Sequence, residues 1–316
     1  MSSLFIFGNG FDLAHGIPSE YNDFRSFIIE QYPNALEHRD EVICLEGIEH
    51  IDLDEFAAEI LLNTMDRAAG CDWHNFEEAL ALIDFDEKLP RPNHKENETP
   101  EEDHKLMEQH LLYLDALTDV FIDSSKWWEE FFRFWLNGIQ KEIDNGIYAP
   151  KDHLAKLFSE SDAQFMTFNY TKTLQRLYKI PKVIHIHNRV GQKLVWGHEK
   201  ENVSYAQFSN NHGSPFIMAS SLNEMLMSFK KNTERPLKKY EQFFKKLDFS
   251  VDRVYSYGFS SGKADSVYIK KIISKINPST IWYFTAYEAS DKEALQKKKV
   301  KLRRYGFKGT FKLFDG

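Results

Sequence analysis

Four short apolar runs in the sequence are each followed at once by residues that can bind a ligand or move a proton. Amide and carboxylate side chains can hold a sugar or a water molecule, and histidine can accept a proton near neutral pH. The four polar clusters are Gly8, Asn9, Gly10, Phe11 and Asp12; Asn169, Tyr170 and Thr171; His185, His187 and Asn188; and Gly258, Phe259 and Ser260. Their shared position after an apolar run predicts a single composite site.

Each cluster also has a purely structural interpretation. A glycine pair after a strand is typical of a tight turn, and Asn169 is typical of a helix cap. His185 and His187 alternate along a strand, where a hydrogen-bonded core histidine is common. The prediction of a site therefore depends on the convergence of the clusters.

The elements that must position these residues are six apolar runs rich in β-branched and aromatic residues. Most are continuously apolar, which is typical of parallel strands covered by helices on both faces. The predicted strands are residues 4–8, 163–168, 182–187, 251–259, 280–286 and 309–314. Segments with helical spacing separate several of them, so we predict an α/β fold with a doubly wound, mostly parallel, Rossmann-like sheet. In such sheets, ligands bind beyond the carboxyl ends of the strands.

The region between the first two strands has helical periodicity and no convincing strand. We predict that residues 35–150 form a large helical insertion, and that residues 1–34 and 151–316 form the Rossmann-like core.

Composition excludes several classes of protein. The two cysteines cannot build a disulfide framework or a four-cysteine zinc site. The net charge of −8 gives no global attraction to nucleic acid, so we expect no nucleic-acid partner, and we interpret the basic run at residues 297–304 as a solvated helix face. Without an apolar stretch of about 18 residues or a signal segment, we expect a cytoplasmic protein without a membrane partner.

A strand followed by Gly-x-Gly suggests a dinucleotide dehydrogenase, but two features disfavour hydride transfer. Leu13 occupies the position of the third fingerprint glycine. Glu30, at about the distance expected for the ribose-binding acid, lies in a predicted helix rather than at a strand tip.

The motifs resemble those of sirtuins. "GNGFDLAHGIP" is similar to the sirtuin opening Gly-Ala-Gly-Ile-Ser-x-x-x-Gly-Ile-Pro, "TFNYT" to Thr-Gln-Asn-Ile-Asp, "HIHN" to the strand ending in the catalytic His-Gly, and "GFS" to Gly-Thr-Ser. The whole pattern, including "WHNFEEAL" and "YGFSSGKAD", most resembles the AbiH family of bacterial phage-defence proteins, regarded as distant SIR2-like proteins.

The resemblance implies a site that takes NAD as substrate. Its implied catalytic residues are Asn169 and His187, and its implied nucleotide-binding residues are Gly8, Asn9, Gly10, Phe11, Asp12, His15, Thr171, Gly258, Ser260 and Asp265. Asn188 and Thr171 depart from the sirtuin pattern, and the zinc module of sirtuin deacetylases is missing, so protein deacetylation is not expected.

We therefore expect an NAD-cleaving hydrolase that releases nicotinamide in anti-phage defence, with Asn169 holding the ribose or a water and His187 acting as base. One alternative is a non-catalytic sensor or interaction module that binds NAD or ADP-ribose. A third hypothesis is a metal-dependent hydrolase or nuclease using His185 and His187 with His198 or His212, although we expect no metal. A phage-derived trigger and a homo-oligomer are further partners compatible with these hypotheses.

Overall fold

The computed structural model describes residues 2–36, 52–85, 99–159, 162–203, 216–247, 249–260 and 262–316. The strands of this part of the chain are β1 (Ser2–Phe7), β2 (Ala163–Thr167), β3 (Ile184–His185), β4 (Val251–Tyr257), β5 (Ile281–Thr285) and β6 (Thr310–Phe314). Its helices are α1 (Asn9–Leu13), α2 (Tyr21–Gln31), α3 (Leu53–Ala69), α4 (Phe76–Ala79), α5 (Pro100–Asp144), α6 (Asp152–Phe158), α7 (Thr173–Leu177), α8 (Phe216–Ser228), α9 (Glu234–Lys239), α10 (Glu241–Lys246), α11 (Ser266–Ile273) and α12 (Lys292–Arg304). None of the described helices is both long enough and apolar enough to cross a membrane.

The six strands form one parallel sheet in the order β3-β2-β1-β4-β5-β6. This arrangement confirms the predicted α/β fold with a Rossmann-like sheet. The strand order reverses between β1 and β4, and in open α/β sheets such a switch point opens a crevice beyond the strand ends. All six predicted strands are present. The third is reduced to two residues, because Asn188 turns the chain back with a φ of 61° and its N–H donates to the carbonyl of His185.

Strand β1 explains why the apolar runs are continuous rather than alternating. Leu4 and Ile6 belong to one hydrophobic cluster, and Phe5 and Phe7 belong to another. Successive side chains of a strand point to opposite faces, so both faces of the sheet are covered. Burial on two sides also places β1 in the centre of the sheet, with β2 and β4 as its neighbours.

Contacts divide the chain into two compact units. Unit 1 contains residues 1–20, 136–196 and 231–316, which include the whole sheet. Unit 2 contains residues 21–135 and 197–230. The boundaries predicted at residues 34 and 150 stay a prediction.

Unit 2 is helical and its core is aromatic. Phe24, Trp73 and Phe76 are buried and pack edge to face or stacked within 6 Å of one another. The indole N–H of Trp73 donates to Asp66 at 2.6 Å, and the Arg25 Nε donates to the same oxygen at 2.7 Å. A buried carboxylate needs such partners, since an unpaired charge in the interior costs several kcal/mol. The "WHNFEEAL" segment is thereby part of the core of unit 2.

Candidate functional site

Two glycine turns meet at the switch point of the sheet. The Gly8 N–H donates to the carbonyl of Tyr257 at 3.0 Å, and the Gly10 N–H donates to the carbonyl of Gly258 at 3.1 Å. A Cβ on Gly258 would lie 2.3 Å from the Cα of Gly10, and Gly258 has a φ of +59°. Contact between the two turns therefore requires these glycines. This packing role is separate from the expected role of the first turn in binding a phosphate.

Asp12 lies in α1, directly after the first glycine turn, and is buried. Its Oδ2 accepts a hydrogen bond from Thr171 Oγ1 at 2.5 Å, and no described residue is a partner of Oδ1. Burial raises the pKa of Asp12 to about 6, although hydrogen bonds from Thr171, Thr173 and Asn169 act in the opposite direction. The end of β1 is thus joined to the segment after β2 by a carboxylate that is only partly satisfied.

Asn169 occupies the place predicted for it, two residues beyond the end of β2. It is buried, its N–H donates to Thr167 Oγ1 at 3.0 Å, and its side chain is among the groups that act against the raised pKa of Asp12. The structure therefore brings Asn169, Thr171 and Asp12 together, as the convergence of the strand ends predicts.

His187 is held by a charged pair that sequence motifs did not indicate. Its Nε2 lies 2.8 Å from Asp265 Oδ1, and Lys231 Nζ lies 3.5 Å from the same oxygen. Burial raises the pKa of Asp265, but electrostatic interactions and hydrogen bonds with His187 and Lys231 outweigh it and hold that pKa well below its usual range. Asp265 is therefore an ionised partner of His187.

The other ring nitrogen of His187 is available for chemistry. An ionised carboxylate can only accept, so Nε2 carries the proton that it donates to Asp265. No hydrogen-bond partner of Nδ1 occurs among the residues that the structure describes. The ring is flanked by Phe168, with centroids 5.4 Å apart, and by Tyr170 at 5.7 Å. This environment fixes the ring, and Nδ1 carries a lone pair when the ring is neutral.

Lys231 is the residue of this site that sequence reasoning missed. It lies in the polar stretch "KKNTE", where a lysine is ordinarily solvated, yet its side chain is 1% exposed. No signal in the sequence separates it from its neighbour Lys230.

His185 and His15 use both ring nitrogens within the protein. His185 contacts the side-chain amide of Gln175 at 2.7 Å and the carbonyl of Asn169 at 3.2 Å, and burial lowers its pKa to about 4. His15 contacts the carbonyl of Phe11 and the hydroxyl of Tyr178, both at 2.7 Å, and chiefly burial lowers its pKa. Both are neutral residues that connect elements.

The remaining predicted residues lie at the turns around these clusters. Asn9 is exposed and its Oδ1 accepts from Ser19 at 2.6 Å, and Ser260 is exposed. Phe11 is buried in the aromatic cluster beneath the turn. Asn188 donates to the carbonyl of Lys193 at 2.6 Å in a left-handed conformation, which asparagine and glycine both tolerate.

The described histidines of the metal hypothesis form hydrogen bonds with other groups. The Nε2 of His198, in unit 2, lies 2.8 Å from the carbonyl of Leu226. His212 lies outside the described residues. Within the described ranges, no three His, Cys, Asp or Glu side chains are placed to hold a metal ion together.

Comparison with protein-family models matches residues 4–286 to the family "Bacteriophage abortive infection AbiH". Comparisons with curated proteins and with solved structures found no match. The family match covers most of the 316 residues and confirms the resemblance to AbiH, whereas the likeness to sirtuins stays a hypothesis. The chain thus belongs to the AbiH family, and this membership implies a role in abortive-infection defence against bacteriophage.

Proposed function

We propose that the protein hydrolyses NAD, releasing nicotinamide and ADP-ribose, and that this activity serves phage defence. The observation that carries the proposal is the His187–Asp265 pair at the carboxyl edge of the sheet, near which Asn169 and Asp12 also gather. A histidine oriented by an ionised carboxylate is the usual form of a general base.

The crevice beyond β1 and β4 suits the nucleotide. Dinucleotides bind at the switch point of such sheets, beyond the carboxyl ends of the strands. Asn9 and Ser260 are exposed on the two turns that meet there, so they are the side chains best available to contact the substrate.

The reaction itself does not require a general acid. Cleavage of the bond between ribose and nicotinamide passes through an oxocarbenium-like transition state, and the pyridinium leaves as neutral nicotinamide without protonation. The useful protein groups are one that positions the ribose or the water and one that removes a proton from the attacking water. Asn169 suits the first role and His187 the second.

Asp265 and Lys231 give His187 the protonation state that a base requires. With the proton on Nε2 directed at Asp265, Nδ1 accepts the proton of the water, and the resulting imidazolium is stabilised by the same carboxylate. Lys231 keeps that carboxylate ionised. Water then completes the reaction by bonding to C1 of the ribose.

The test is an assay of nicotinamide release by the purified protein, alone and with extract of phage-infected cells. His187→Gln is expected to lose about 10²- to 10⁴-fold in rate, as is typical for removal of a general base. His153→Gln, which changes an exposed histidine of the same unit, is the matched control and is expected to retain activity. The proposal is wrong if no condition gives nicotinamide, or if His187→Gln is as active as the control.

A non-catalytic NAD or ADP-ribose module is the second candidate, and one observation favours it. The hydroxyl of Thr171 is engaged by Asp12 and lies 3.0 Å from that of Thr173, so it is directed into the protein. Titration calorimetry with ADP-ribose, together with the nicotinamide assay, distinguishes the hydrolase from the non-catalytic module. Binding without turnover supports the module, and absence of binding contradicts both candidates.

A further inference from the structure

A basic groove lies along α12 and the edge strand β6, away from the strand ends that form the candidate site. It has a volume of about 520 Å³ and is lined by Gln296, Lys299, Val300, Arg303, Arg304 and Phe311. The five helical residues are spaced three or one apart, so they share one face of α12. Three of the six lining residues are cations, and none of the lining residues is acidic.

Some of the lysines and arginines of α12 form ion pairs, and others do not. Lys297 lies 2.6 Å from Glu293, and Lys298 lies 2.7 Å from Glu288. In contrast, Lys299 and Arg304 in the groove have no ion-pair partner among the described residues. These two cations therefore lie together at the groove.

The groove also has an ordered aromatic and guanidinium surface. The Arg303 guanidinium lies 4.6 Å from the ring centre of Phe311 and 5.4 Å from that of Phe307, and its Nη1 donates to the carbonyl of Phe307 at 2.8 Å. Lys299 Nζ lies 6.0 Å from the Phe311 ring. Planar guanidinium and aromatic groups are the surfaces on which unstacked bases pack.

The local charge is opposite to that of the whole chain. Residues 263–316 carry 13 lysines and arginines against five aspartates and glutamates, a formal charge of +8, whereas the complete chain is −8. A basic segment of an otherwise acidic chain can attract a polyanion locally without global attraction. The expectation of no nucleic-acid partner rests on the net charge and on the interpretation of residues 297–304 as a solvated helix face.

We propose that this groove binds single-stranded nucleic acid, with Lys299 and Arg304 on phosphates and a base against Arg303 and Phe311. A concave surface admits a flexible strand, whereas a duplex is read by an element that protrudes into its grooves. The combination of unpaired cations with a stacking surface suits a chain of phosphates and bases better than an acidic peptide. The site is independent of the proposed hydrolase activity, because it lies at the opposite side of β4 from β1, β2 and β3.

Fluorescence anisotropy with a labelled single-stranded hexanucleotide tests the proposal. Lys299→Gln/Arg304→Gln is expected to weaken binding at least about tenfold and to lower the salt dependence of log Kd by about 1.4, since each phosphate contact on a single strand contributes about 0.7. The matched control Lys292→Gln/Lys312→Gln removes the same charge at exposed positions outside the groove and is expected to change affinity less than about twofold.

Three comparisons with the full-length wild-type protein identify the ligand. A strand of the same length without bases is expected to bind at least about fivefold more weakly, because stacking is lost. A duplex and a poly-glutamate peptide are expected to bind more weakly than the single strand. The proposal is wrong if the abasic strand binds equally well, if either competitor binds more tightly, or if the control variant loses as much affinity as the groove variant.

Discussion

At the scale of single residues, the most informative contact is the one between His187 and Asp265. His187 is buried and Asp265 is partly buried, the aspartate is ionised, and a lysine lies 3.5 Å from the carboxylate oxygen that His187 contacts. Burying a carboxylate and an ammonium group is costly unless each has a partner. In a structural site a neutral pair would cost less, so the arrangement favours a function in which the imidazole changes its charge.

Replacement of Asp265 by asparagine is expected to change the tautomer of His187 while the histidine itself stays in the site. The amide can donate to Nε2, which favours the tautomer with the proton on Nδ1 and removes the base. We expect nicotinamide release to fall about 10²- to 10⁴-fold, with the tautomer change visible in ¹⁵N NMR of the histidine. An Asp265→Asn protein that keeps both the Nε2–H tautomer and the full rate contradicts this role. Asp291→Asn, at an exposed helix cap, is the control.

Asp12 is expected to make stability depend on pH in the direction opposite to most carboxylates. Its folded pKa, about 6, lies above the ordinary value of 3.8, so the folded state binds the proton more tightly and stability falls as pH rises between these values. The loss approaches about 3 kcal/mol once pH exceeds 6, at about 1.4 kcal/mol for each pKa unit.

The measurement is chemical denaturation of wild type and Asp12→Asn from pH 4 to pH 8. The asparagine adds a constant penalty if its amide lacks an acceptor, but it removes the titration. The stability of the variant relative to wild type is therefore expected to rise with pH. A difference that stays constant across this range excludes a raised pKa for Asp12.

At the scale of elements, the two glycine turns act as one unit. The turn after β1 donates two backbone hydrogen bonds to the carbonyls at the end of β4, and the two turns lie so close that neither has room for a Cβ at the contact. The first turn is thus held in place by contacts with its neighbour.

Gly258→Ala is expected to disrupt this contact. The new Cβ would lie 2.3 Å from the Cα of Gly10, and the residue would keep a φ of +59°. Overpacking of backbone and left-handed strain together are expected to cost about 3 kcal/mol or more. Gly138→Ala, in α5 with open space around it, is expected to gain about 0.5–1 kcal/mol instead. Equal free energies of unfolding for the two variants contradict the proposed contact.

At the scale of the whole molecule, the sheet determines which parts of unit 1 are most stable. β1 is paired on both sides and its residues from Ser3 to Phe7 are buried, whereas β6 is an edge strand with mostly exposed residues. Central strands open only with global unfolding, and edges open locally.

Hydrogen exchange is expected to follow this order. The amides of β1 should exchange slowest, with a free energy equal to that of global unfolding, and those of β6 should exchange at least about tenfold faster. Mass spectrometry of peptides covering the two strands measures the difference. Equal protection in β1 and β6 contradicts this distribution of stability.

Local pattern alone determined a large part of the fold. Continuous apolar runs separated by helical spacing predict a covered parallel sheet, because periodicity and β-branched content are properties of neighbouring residues. The polar residues at the ends of those runs then predict which side chains meet, as Asn169, Thr171 and Asp12 do. Strand lengths and the burial of particular side chains were less predictable, because turns such as the one at Asn188 end a strand early.

What only the tertiary structure decided is the pairing of residues far apart in the chain. Asp265 lies 78 positions from His187, and nothing in the local sequence of either residue requires the contact. Lys231 becomes part of the site only because the chain buries it beside them, and the glycines prove necessary for contact with another turn. Local sequence sets the elements through short-range sterics and apolar spacing, whereas the site arises from long-range packing, in which any of several polar groups could have been the partner.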